Sequence, residues 1–97
     1  MNNIIVVASI TVKSEYKEEV YNELLKLHTA THKFDAGCIQ YDLHTDLENK
    51  NSFTFVETWE NKQALIDHEN KEHFISFVAA IENKIEDLQI NKLDKII

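Results

Sequence analysis

From Ile4 to Val12 every residue except Ser9 and Thr11 is apolar, and most are β-branched. Two-residue alternation puts Ile4, Val6, Ala8, Ile10 and Val12 on one face and Ile5 and Val7 on the other. That pattern predicts a strand covered on both sides. The rhythm then lengthens. Val20, Leu24, Leu27 and Thr31 recur at spacings of four, three and four, the inward stripe of an amphipathic helix over about residues 15–32. Ser14 is placed to cap that helix, and Glu15, Glu18 and Glu19 suit the positive end of its dipole. Asp35-Ala36-Gly37 reads as a turn.

Alternation returns at residues 38–45, where Ile39, Tyr41 and Leu43 interleave with Gln40, Asp42 and His44. A polar loop of hairpin length follows, then a third strand over residues 52–60. Asn61 is placed to cap a short helix ending near Glu69, and Asn70 marks a break. A second helical piece is expected over about residues 71–85, with Phe74, Val78, Ile81 and Ile85 inward and Phe77 beside them. Residues 88–93 form the last, mixed strand. The order β-α-β-β-α-β is the ferredoxin-like α+β pattern, an antiparallel sheet carrying its helices on one face. The other face would keep apolar side chains from the first two strands, so a homodimer with two sheets packed face to face is expected.

The length of 97 residues fits a single domain across residues 1–97. A formal net charge of −7 argues against nucleic acid and anionic membrane surfaces as partners. No apolar run approaches the roughly 20 residues of a membrane helix. The opening Met-Asn-Asn lacks the basic region of a signal peptide. Cys38 is the single cysteine, so no intrachain disulfide can form, which suits a cytoplasmic location. With Gly37 as the one glycine, glycine-rich nucleotide loops are excluded.

The candidate chemistry lies in residues 53–74. Phe53, Phe55, Glu57 and Trp59 share one strand face, which sets a carboxylate among three aromatic rings. His68 follows Ala64 and Leu65 by four and three residues and faces the same way as that apolar pair. Glu57 and His68 are therefore the candidate catalytic acid–base groups, as a carboxylate of raised pKa or an inward imidazole could take a hydroxyl proton. A solvated edge carboxylate is the plainer alternative for Glu57, and core packing is the plainer one for Trp59. Trp59, Phe53 and Phe55 could stack on a planar substrate, and His73 and His44 are further substrate-binding candidates. His68 and His73 are five apart, a spacing that puts no two ligands on one helical face, so no metal site is expected from them. His28 and His32 have i,i+4 spacing but no evident companion ligand, and a histidine there also suits a helix C-terminus. Cys38 has no evident activating partner.

Several of these pieces stand in one register: Gly37-Cys38-Ile39-x-Tyr41-x-Leu43-His44, Phe53-x-x-x-Glu57-x-Trp59, Ala64-Leu65-x-x-His68 and His73-Phe74. Across nearly its whole length the chain thereby resembles the antibiotic biosynthesis monooxygenase family, in particular its small quinol-monooxygenase-like bacterial members. The resemblance implies a dimeric α+β barrel with a pocket between sheet and helices. It also implies oxidation of a phenolic or quinol substrate by dioxygen with no flavin, haem or metal cofactor. Trp59 matches a tryptophan of the haem-degrading branch, but Ser9 and Val78 stand where that branch has its asparagine and haem-ligating histidine, so haem degradation is not expected. Two alternatives stay open: an isomerase or lyase acting on a small signal-type metabolite, and a non-catalytic ligand-binding dimer. The chain has no arginine, which disfavours a phosphorylated substrate.

Overall fold

The computed structural model describes residues 3–97. Met1 and Asn2, which open the stretch read above for a leader, lie outside them. The β-branched run forms β1 (Ile4–Val12), and the first helical stripe forms α1 (Lys17–Phe34), with Val20, Leu24, Leu27 and Thr31 all buried. Strands β2 (Cys38–Thr45) and β3 (Ser52–Trp59) make the expected hairpin. They are followed by α2 (Lys62–Glu69), α3 (Glu72–Ile81) and β4 (Ile85–Asp94). All strand pairs are antiparallel in the order β2-β3-β1-β4, the ferredoxin-like arrangement. Among the described residues, no helix is long and apolar enough to cross a membrane.

Three local expectations are corrected. Ser14 does not cap α1. It opens a 3₁₀ turn, Ser14–Tyr16, and its hydroxyl accepts from Asn51 Nδ2 at 2.9 Å, so it is spent on the β2–β3 loop. The last helix stops at Ile81 rather than near Ile85. Asn83 takes a left-handed φ of 66°, which asparagine tolerates better than most residues, and Lys84 N–H closes on the Ile81 carbonyl at 3.0 Å. Ile85 therefore pairs with Val12 as the first residue of β4, which is longer than the mixed pattern at residues 88–93 suggests. Finally, Val78 is half exposed instead of forming part of a buried stripe, and Ile81 is the one buried residue of α3.

Register assigns the two faces of the sheet. Val6, Tyr41 and Glu57 lie side by side across β1, β2 and β3 on the helix-bearing face, as do Ala8, Leu43 and Phe55. Ile90 and Leu88 of β4 share that face beside Ala8 and Ile10, and both are half exposed. The opposite face carries Ile5, Val7, Val56 and Leu93 together with paired hydroxyls. Ser9 Oγ meets Thr54 Oγ1 at 2.9 Å, and Thr11 Oγ1 meets Ser52 Oγ at 2.7 Å.

Candidate active site

Side-chain alternation along β3 turns Phe53, Phe55, Glu57 and Trp59 toward the helices, and all four are buried. Beneath α1 and α3 the sheet leaves an apolar cavity of about 390 Å³. Tyr41, Phe55 and Glu57 form its floor, Phe74, Phe77 and Ile81 of α3 one wall, and Leu88 and Ile90 of β4 the other. Glu57 is the one buried carboxylate on this lining, at 5 % exposure. Burial pushes its pKa up to about 7. Trp59 Nε1–H donates to its Oε1 at 2.9 Å and opposes that rise, while Glu69 adds to it and Lys92 reduces it. A carboxyl group poised near neutrality can take up and return a proton within the working pH range of an enzyme.

Tyr41 stacks on Phe55 with ring centroids 4.5 Å apart. Burial first, and the neighbouring Glu57 second, raise its phenol far above the ordinary value. It therefore stays neutral and keeps its hydroxyl proton. Burial likewise pushes the Cys38 thiol up to about 11, which makes it a poor nucleophile near neutrality.

Behind this floor is a second polar group. His68 is buried against the Trp59 ring at 4.6 Å, with Phe74 at 5.0 Å and Tyr41 at 5.3 Å. Its Nδ1–H donates to Asp35 Oδ2, and the other carboxylate oxygen, Oδ1, lies 2.9 Å from His73 Nε2. Burial lowers the His68 pKa and the Asp35 contact pulls the other way. Its Nε2 has no hydrogen-bond partner among the described residues. Asp35 was legible only as a turn residue. It reaches the site because it is the C-cap of α1, held by its N–H to the Thr31 carbonyl, and because Gly37 turns the chain at φ 81° directly after it. The spacing argument against His68 and His73 converging assumed one helix. Asn70 divides that segment, so each histidine stands on its own helix and both meet at Asp35.

The sequence-derived candidates thus fall into separate places. Phe55 and Glu57 line the cavity. Trp59 is fully buried behind Glu57, and His68 and His73 lie with Asp35, outside the lining. Phe53 packs on Tyr21 at 5.7 Å and, with the exposed His44, borders a different groove near the end of β2. His44 Nδ1 is held by the Thr54 carbonyl at 3.1 Å. Of the spaced pair His28 and His32, His32 Nε2–H is committed to the Tyr41 carbonyl at 2.9 Å.

A four-stranded ferredoxin-like sheet with an apolar, carboxylate-floored cavity under its helices defines an α+β domain of ferredoxin-like type. The chain belongs to the antibiotic biosynthesis monooxygenase family, whose model matches residues 3–80. It is 34 % identical over 76 residues to the Bacillus subtilis protein named Putative monooxygenase YcnE, a match covering 78 % of this chain and 79 % of that one. It is 36 % identical over 75 residues to the uncharacterized protein sll1783 of Synechocystis, covering 77 % of this chain. The match spans 50 % of that longer relative. Among solved structures, PA3566 from Pseudomonas aeruginosa superposes with a TM-score of 0.90 at 32 % identity, covering 100 % of this chain and 97 % of that one.

Proposed function

We propose that the protein is a cofactor-independent monooxygenase that oxidises a small phenolic or quinol ring with dioxygen. The observation that carries this reading is Glu57, a carboxyl group tuned to about 7 at the floor of an otherwise apolar cavity. An aromatic ring fits the cavity by burial against Phe55, Phe74 and Phe77, and its hydroxyl meets the one buried carboxyl group there. Glu57 takes the hydroxyl proton, and the resulting phenolate gives one electron to dioxygen. Radical and superoxide then join at a ring carbon, and the peroxide takes up a proton. Loss of water turns that carbon into a carbonyl, so one oxygen atom stays in the product quinone and the other leaves in water. The protein binds, deprotonates and keeps the radical pair from solvent. His68, the other sequence-derived base, stands behind Tyr41 and Phe74; in this reading it supports the floor and Glu57 carries the proton.

The reading includes a homodimer. The open sheet face, with Ile5, Val7, Val56 and Leu93, offers each copy an apolar strip to bury against the other. Sedimentation would then give twice the chain mass of 11.3 kDa.

Oxygen uptake by purified, metal-stripped protein with a panel of naphthohydroquinols and polyphenols tests the activity. Saturable uptake above autoxidation, abolished in Glu57→Gln with the fold intact, is expected. Uptake equal to the blank across the panel would overturn the oxidative reading and favour acid–base chemistry without oxygen at the same carboxylate.

A further inference from the structure

We propose that Asp35, His68 and His73 form a binding site for a divalent first-row transition metal ion, zinc foremost. The site is separate from the cavity and clamps the helices that form its wall. Three ligand-type side chains converge from three elements, one ligand atom of each lying within 4.8 Å of the others. The Asp35 and His68 side chains are almost fully buried, whereas His73 keeps 17 % exposure.

The second observation is a mismatch in hydrogen bonding. Asp35 Oδ1 and His73 Nε2 face each other at 2.9 Å, yet neither atom has a hydrogen-bond partner among the described residues. Buried polar atoms left in this way are costly. A cation seated between them satisfies both at once. Ligand atoms bound at about 2.0–2.1 Å around one tetrahedral zinc ion lie roughly 3.3 Å apart, so three atoms within 4.8 Å of one another close on an ion that takes the place of the His68 Nδ1 proton. Charge points the same way. The ion-pair contacts of Asp35 among the described residues are His68 and His73, with no lysine, so a buried carboxylate has imidazoles alone for company.

The donor set identifies the ion. Two imidazole nitrogens and one carboxylate oxygen suit zinc or ferrous iron, and they do not suit calcium or magnesium, which prefer oxygen ligands. Mechanically, the ion would join the end of α1, the last turn of α2 and the first turn of α3. Phe74, the residue after His73, lies on the cavity wall, so occupancy would fix that wall in place.

The test uses the full chain, free of affinity tags and stripped with chelator, titrated with Zn²⁺ or Co²⁺ alone. One equivalent should bind, raise the melting temperature and, for Co²⁺, bring up the intense visible bands of a four- or five-coordinate site. His73→Ala should lose most of that affinity, about 100-fold, while circular dichroism stays native; Asp35→Asn should lose it as well. His32→Ala should keep it. Absence of a stoichiometric ion and of any rise in melting temperature would overturn the site and leave a proton-bridged His–Asp–His cluster. So would binding that survives in His73→Ala or vanishes in His32→Ala. None of these readouts depends on oxygen chemistry, so the site and the proposed activity can fail separately.

Discussion

Trp59 Nε1–H reaches back along its own strand face to Glu57 Oε1, 2.9 Å away and two residues earlier in the chain. The bond favours the ionised carboxylate, whereas burial favours the neutral acid. Removing the donor therefore has a defined direction. In Trp59→Phe the Glu57 pKa should rise above its value of about 7, as followed by the carboxyl carbon shift in an NMR titration. The lost bond and the partly emptied volume should lower stability by about 1–3 kcal/mol in urea unfolding. An unmoved titration would show that the indole does not act on this carboxylate.

Glu57 also makes stability depend on pH. Its folded pKa of about 7 lies above the ordinary 4.5, so between those values the folded chain holds a proton that the unfolded chain has released. Stability must then fall as pH rises through that window, by up to about 3 kcal/mol. Glu57→Gln keeps an acceptor for Trp59 and removes the titration. Its melting temperature should exceed that of the parent at pH 8, and the gap should close below the ordinary carboxyl pKa. Melts of both proteins across pH check this; a constant gap would contradict it.

Gly37 stands at φ 81°, and a Cβ there would come within 2.7 Å of Ala64 Cβ. Its carbonyl also accepts Glu60 N–H at 2.9 Å, tying the turn to the end of β3. Gly37→Ala should cost about 2–3 kcal/mol, from backbone strain and from pushing α2 outward. Urea unfolding measures the loss, and a loss under half a kcal/mol would show that the turn relaxes freely.

Asn61 Oδ1 accepts the Ala64 N–H at 2.8 Å and starts α2, a helix of only eight residues. Asn61→Ala should destabilise the chain by about 1 kcal/mol. Faster amide exchange confined to α2 would locate the effect, and uniform exchange over the chain would argue against a local cap.

Signals that travel a short way along the chain made the sequence readable. The β-branched run of β1, the stripe Val20–Leu24–Leu27–Thr31 and the Asn61 cap each depend on neighbours within one element, and each stands in the structure as read. The face shared by Phe53, Phe55, Glu57 and Trp59 follows from alternation alone. Competition misled the reading elsewhere. Ser14 had two claimants, its own helix and Asn51, and the more distant one took the hydroxyl. Ile85 fitted a helical stripe, but a left-handed Asn83 ended the helix before it. The Asp35 cluster was beyond reach because 33 residues separate Asp35 from His68 and no periodicity links them. Their meeting is set by how α1 ends against α2, a property of packing and not of pattern.

The hydroxyl pairs Ser9–Thr54 and Thr11–Ser52 give the open face of the sheet an unusual tolerance. Two lone hydroxyls taken out of water leave two hydrogens without acceptors, whereas a bonded pair leaves one. The same strip can therefore sit in water or be dried against a neighbouring surface with half the usual loss. A β-sheet so equipped need not become greasy to be adhesive, and the strands at its centre can stay soluble while the chain is still folding alone.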